Sequence, residues 1–272
     1  MDILSMFGYK FMVRALIVGI PVALCAALLG VSLVLKRYSM IGDGLSHVGF
    51  GALAAASAFN WAPLPVAIPV VVMSAFLLLR LSENSKIKGD SAIALISSSA
   101  LAVGVTIAAL QKGMNTDISN YLFGSIVAAS DFDAALSVCL SAVVIILYIL
   151  FYNRIFAVTF DENFARATGT RVGFYNTVIA ILTALTVVLG MRIMGTLLIS
   201  SLIIFPALTS MQVCKTFKSV IITSSILSVT CFFLGITASY LCKTPVGASI
   251  VIANIIAFIV FLCIRSVRGG RS

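Results

Sequence analysis

Uncharged apolar runs of about twenty residues, broken by short polar patches, recur along the whole chain. A hydrocarbon layer about 30 Å thick is crossed by a helix of about 20 residues, so these runs read as membrane spans. Backbone groups in lipid must be paired within their own segment, and the ten-residue alternation of a barrel strand would look quite different. The pattern predicts nine helices, near 11–35, 42–60, 62–80, 91–111, 132–153, 173–190, 194–213, 219–241 and 245–264. The count falls to eight if Pro206 bends or breaks segment 194–213, which only a short patch around Arg192 separates from 173–190. The expected fold class is all-α: a polytopic transmembrane helix bundle of eight or nine spans, forming one domain over residues 1–272.

Composition agrees. The chain is 61% hydrophobic and 10% charged, against about 25% charged in soluble domains. The run after Lys10 and Arg14 stays apolar to Leu35, longer than a secretory signal core and without a polar cleavage zone, so it reads as a retained anchor. Six cysteines, Cys25, Cys139, Cys214, Cys231, Cys242 and Cys263, lie scattered in or beside spans with no C-x-x-C pair, and read as small apolar packing residues.

A net charge of +9 raises the question of nucleic acid, and the distribution answers it. If the polar stretch 154–172 is cytoplasmic, alternating nine spans places thirteen basic residues inside, among them Lys36, Arg37, Arg154, Arg166 and Arg171, and five outside: Lys10, Arg14, Lys112, Arg192 and Lys243. That bias is the positive-inside rule, so the basic excess reflects orientation in a membrane and no nucleic-acid partner is expected.

Three polar stretches stand out. Residues 80–90 read as a solvated turn. Residues 111–133 place Asp117, Asp131 and Asp133 outside, around a semi-apolar "YLFGSIVAA" that suits a short interfacial or re-entrant helix. In residues 153–171, Thr159 and Glu162 match the capping-box spacing, and Gly169 is placed to end a helix of about two turns from Phe160 to Thr168. A helix this short needs something to pack on. Its own protein and a cytoplasmic partner receiving Phe164 both fit.

The segment "SMIGDGLSHVGF", residues 39–50, carries Asp43 and the chain's single histidine, His47. Four apart, they stand one above the other on one helical face. Asp43 follows Gly42 at a helix start and could cap it, and His47 could be a hydrogen-bonded core side chain. In a membrane, however, an ionisable side chain costs at least about 2.5 kcal/mol and by default marks function. Asp43 is also the one acidic residue in or at the edge of any predicted span. A carboxylate oxygen and an imidazole nitrogen suit zinc or manganese and are not soft enough to select copper(I). Two side chains make an incomplete site, which a second copy of the helix across a two-fold axis would complete. Ser46, Gly44, Gly49, Gly51 and Ala55 lie nearby, small enough for close helix approach.

Catalysis is hard to build here. The chain has no H-E-x-x-H, no second histidine and no Cys/His pairing for a nucleophile. It has no Gly-Lys dipeptide and therefore no phosphate loop, so any ATP hydrolysis belongs to another chain and this one is not expected to be an enzyme. A self-contained proton-coupled metal carrier is the alternative, although such machines use relays of buried carboxylates.

With these residues in hand, the chain resembles the permease subunit of bacterial ATP-binding-cassette importers for zinc and manganese. The resemblance spans nearly the whole length: "KRYSMIGDGLSHVGFG", "NYLFGSI", "DENFARATGT" and "MRIMGTLLISSLIIFPALTSM" occur in family order. It implies a multi-pass protein of the bacterial cell membrane, acting as a dimer with cytoplasmic ATPase subunits and an extracellular metal-binding protein. Zinc is then the leading transported substrate and manganese the next, with no permanently bound cofactor. The resemblance assigns Asp43 and His47 to the metal path, and Asp161, Glu162, Phe164, Ala165, Thr168 and Gly169 to the region that couples to the ATPase. Ser46, Ser200 and Ser201 are candidates to line the path, although serines hydrogen-bonding their own helix would look the same.

Overall fold

The computed structural model describes residues 8–84, 89–110 and 131–269. "NYLFGSI", Asp117, Lys112 and the centre of the 80–90 turn lie outside them. Among the described residues the elements are all helical: α1 (Lys10–Leu35), α2 (Ile41–Ala58), α3 (Pro63–Asn84), α4 (Gly89–Leu110), α5 (Asp131–Leu150), α6 (Tyr152–Phe160), α7 (Glu162–Ala167), α8 (Val172–Met194), α9 (Thr196–Met211), α10 (Phe217–Cys242) and α11 (Val246–Gly269).

A helix stands at each of the nine predicted apolar segments. Five are long and apolar enough to cross a membrane, namely α1, α8 and α10 with the apolar parts of α4 and α11, or six if α5 and α6, bent by 70°, count as one broken span. The remaining three fall short individually. Asp43, His47 and four glycines dilute the apolar character of α2, α9 has 16 residues, and α3 turns polar and charged from Arg80 onward. Composition thus supports a polytopic bundle without supporting a count of eight or nine.

The first helix is the centre of the bundle, packed on α5, α8, α9 and α10. It runs unbroken through Pro21, as α9 does through Pro206. Close approach of α1 to α9 depends on Gly30, where a β-carbon would stand 2.0 Å from the carbonyl oxygen of Ile203. Outward faces carry large apolar side chains, such as Leu95 and Val103 on α4, Ile146 and Ile149 on α5, and Ile252 and Ile256 on α11. Such a surface suits acyl chains rather than water.

Four local expectations change. Segment 132–153 bends at Phe151, and the polar stretch behind it continues as α6, which buries Ile155 and Val158 and packs the rings of Phe156 and Phe160 against Phe217 in tilted and edge-on contacts. The patch around Arg192 does not end a helix: α8 continues to Met194, and the break comes at Gly195, whose φ of +87° is open to glycine. Asp131, read as part of a loop, opens α5 and pairs with Arg14. Asp43 is therefore not the single acidic residue at a helix edge. Of the six cysteines, all free, only Cys25 and Cys231 are buried packing residues.

Candidate functional site

Asp43 and His47 occupy the first two turns of α2, directly after the turn that follows α1. The turn is tightly specified. Arg37 takes a left-handed φ of +62°, and backbone bonds run from Tyr38 N to Leu33 O, from Ile41 N to Tyr38 O and from Gly44 N to Met40 O. Asp43 does not cap the helix, which starts at Met40 without a side-chain cap. Its carboxylate points sideways.

His47 Nε2 lies 3.6 Å from Asp43 Oδ2, near but beyond hydrogen-bonding distance. Both side chains are partly accessible, 21% for His47 and 40% for Asp43. The other ring nitrogen, Nδ1, is buried without a hydrogen-bond partner. His47 is thus not the satisfied core histidine that was one of its two readings. Nε2 is the nitrogen left facing the carboxylate.

A third oxygen comes from far along the chain. Ser200 Oγ on α9 lies 3.3 Å from Asp43 Oδ1, its hydroxyl shared with the carbonyl of Thr196 at 3.0 Å. Ser201 and Ser46 are not brought here: Ser201 Oγ donates to Leu198 O, and the fully buried Ser46 Oγ donates to Gly42 O. Among the described residues, no group of three or more His, Cys, Asp or Glu side chains assembles. The donor set is one carboxylate, one imidazole and one hydroxyl.

The small residues of α2 pack on their own chain. A β-carbon at Gly44 would meet Ile93 of α4, at Gly49 Met191 of α8, and at Gly51 the carbonyl oxygen of Ala100 on α4. They hold α2 deep in the bundle and so set where Asp43 and His47 stand.

The second predicted region is α7. The capping box is not formed: Thr159 lies in α6 with its hydroxyl buried and unpartnered, and Asp161 caps α7 by accepting from the backbone N–H of Asn163 at 2.9 Å and of Phe164 at 3.0 Å. Thr159 had the right spacing, but Asp161 holds the extended conformation that a cap requires. The C-terminal end is as expected. Gly169 takes φ +80°, with Gly169 N bonded to Arg166 O and Thr170 N to Ala165 O, which closes a Schellman motif, and the Thr168 hydroxyl donates to Ala165 O.

The short helix packs on its own protein through one side chain and leaves another exposed. Ala165 is fully buried against Val158 and Val172, while Phe164 is 65% exposed. Beside α7, Arg154, Gly169, Thr170, Arg171, Phe174 and Tyr175 line a cleft of about 300 Å³.

Glu162 turns away from any capping role toward Lys36, the residue after α1, at 2.7 Å. Burial pushes its carboxyl up, but the hydrogen bond and charge of Lys36, with help from Asn176 and Arg166, outweigh that and hold it below the ordinary glutamate range. Lys36 and Asn176 were missed by reading residue types alone. Lys36 counted only as one more inside charge.

A model of the ABC 3 transport family matches residues 8–265. The manganese import system permease protein ScaB of Streptococcus gordonii is 30% identical over 256 residues, covering 94% of this chain and 92% of that one. The high-affinity zinc uptake system membrane protein ZnuB of Haemophilus influenzae is 28% identical over 254 residues, covering 93% and 97%. Among solved structures, PsaBC from Streptococcus pneumoniae in complex with Fab superposes with a TM-score of 0.83 at 31% identity, covering 93% of this chain and 91% of its own. The self-contained carrier finds no support among these relatives, and the resemblance drawn from the motifs stands. On a match that covers residues 8–265, the chain belongs to the ABC 3 transport family.

Proposed function

We propose that this chain is the membrane-spanning subunit of an ATP-driven importer in the bacterial cell membrane, moving a divalent transition metal inward through the site formed by Asp43, His47 and Ser200. The observation that carries the reading is the convergence of a carboxylate, an imidazole nitrogen and a hydroxyl from α2 and α9 inside an apolar bundle. Three protein donors hold an ion loosely enough to let it go, whereas a closed structural site would retain it.

Two oxygens and one nitrogen, with no thiol, suit zinc and manganese alike. The donor types therefore leave the order as the resemblance implies it, zinc first and manganese next. Relatives named for each metal match at nearly equal identity.

In the proposed assembly two copies of the chain pair, an extracellular protein delivers the ion, and cytoplasmic ATPases seat on α7 through Phe164 and the Arg154–Arg171 cleft. The helices α2, α3 and α9 complete nine crossings, all three residues of the donor set coming from α2 and α9, which length and apolarity alone do not mark as spans. ATP binding moves α7 and alternates access to the site. The test is growth of a deletion strain complemented with wild type, Asp43→Ala or His47→Ala and titrated separately with manganese and zinc. Both variants are expected to need at least tenfold more metal, and wild-type requirements in both would overturn the reading.

A further inference from the structure

The ammonium of Lys36 is one of the most deeply placed charges among the described residues, its side chain only 7% exposed. All three of its protons have acceptors: Glu162 Oε1 on α7 at 2.7 Å, Asn176 Oδ1 on α8 at 2.5 Å, and the carbonyl oxygen of Val158 on α6 at 3.4 Å. Asn176 Nδ2 in turn donates to the same Glu162 oxygen at 3.3 Å, so the three side chains close a ring. As the C-cap of α1, Lys36 also meets the negative end of that helix's dipole.

Its place in the chain gives this cluster a consequence. Lys36 is followed by the turn that feeds α2, seven residues ahead of Asp43, and that turn is held by successive backbone bonds from Leu33 to Gly44. The Glu162 end is the first residue of α7. A single ion pair therefore ties the helix proposed to receive the ATPase to the stiff turn that carries the metal-path carboxylate.

We infer that Lys36 is a positioning residue for transport: it latches the α1–α2 turn to α7, so that a displacement of α7 is handed to Asp43. The inference rests on the reading of Asp43 and α7 given under Proposed function. A charge with three protein acceptors can be moved only by moving its partners, because breaking one side alone leaves a buried charge unpaired. Coupling between distant sites travels through contiguous contacts of this kind.

The experiment uses the full complex of this chain with its ATPase and metal-delivery protein in liposomes, with uptake of zinc and of manganese, each supplied alone, measured together with ATP hydrolysis. Lys36→Met keeps the aliphatic stem and removes the charge. It is expected to lower uptake per ATP hydrolysed at least tenfold, with ATPase association and basal hydrolysis within twofold of wild type. Lys36→Arg, which keeps the charge, is expected to recover at least a third of the wild-type ratio. A Lys36→Met complex with the wild-type ratio overturns the latch. So does one in which association and hydrolysis fall in step with uptake, the mark of a merely structural residue, and so does an arginine variant no better than methionine. A wild-type complex that hydrolyses ATP without any metal uptake would instead overturn the parent reading.

Discussion

Ser200 Oγ stands 3.3 Å from Asp43 Oδ1 although 157 positions separate them in the chain. The contact joins α9 to α2 and supplies the oxygen that the Asp43–His47 pair lacks. A single hydrogen bond of this kind to a charged group contributes about 1.5–3 kcal/mol.

Ser200→Ala should therefore leave the protein folded and raise the metal concentration for half-maximal uptake about tenfold or more, with little change in maximal rate. Ser201→Ala, whose hydroxyl bonds its own helix, should change neither. Initial uptake rates against metal concentration check both.

Asp161 caps α7, and removing a cap costs about 0.5–2 kcal/mol. In a helix of six residues that is enough to fray it. Asp161→Ala is expected to weaken ATPase association at least fivefold, Asp161→Asn to restore most of it, and Thr159→Ala to leave it within twofold. Co-purification with increasing detergent washes, or a binding titration, measures this.

The Glu162 carboxyl, held low by Lys36, makes stability depend on acid. Its folded value lies below the ordinary one of about 4.3, so the pairing contributes fully above that value and is lost as pH falls through the lower one. Wild-type Tm should fall as pH drops from about 5 into the acid range below about 4.3. Glu162→Gln should start lower at neutral pH and fall less over the same window. Parallel curves would contradict the assignment.

Gly30 and Gly173 make a contrasting pair. A β-carbon at Gly30 would collide with the Ile203 backbone, whereas at Gly173 it meets nothing within 4 Å. Gly30→Ala should push α1 from α9 and lower Tm by several degrees or abolish folded protein. Gly173→Ala should be neutral or add up to about 1 kcal/mol, the helix preference of alanine over glycine. Thermal melts in detergent distinguish them.

Much of this was legible in residue order. Long apolar runs located nine helices because a span must satisfy its own backbone, and the i, i+4 spacing put Asp43 and His47 on one face. Gly169 could be read as a helix stop because its conformation is a local property. Local chemistry failed where two candidates shared one signal: Thr159 had the capping spacing, but the chain chose Asp161 as the extended residue. Contacts between distant segments left no trace in any local pattern. Ser200 beside Asp43, Arg14 on Asp131 and Lys36 on Glu162 all join residues more than a hundred positions apart, and only the packing of helices brings them together. The number of spans stayed open for a related reason, since the polar residues of α2 that carry the site also depress the apolar signal of the span.

The most direct measurement is an anomalous difference map from crystals of the complex grown with manganese. The account predicts a peak at about 2.0–2.4 Å from Asp43 and His47 Nε2, absent from the His47→Ala protein, which should also lose uptake. A manganese peak elsewhere in the bundle, with uptake surviving His47→Ala, would contradict it.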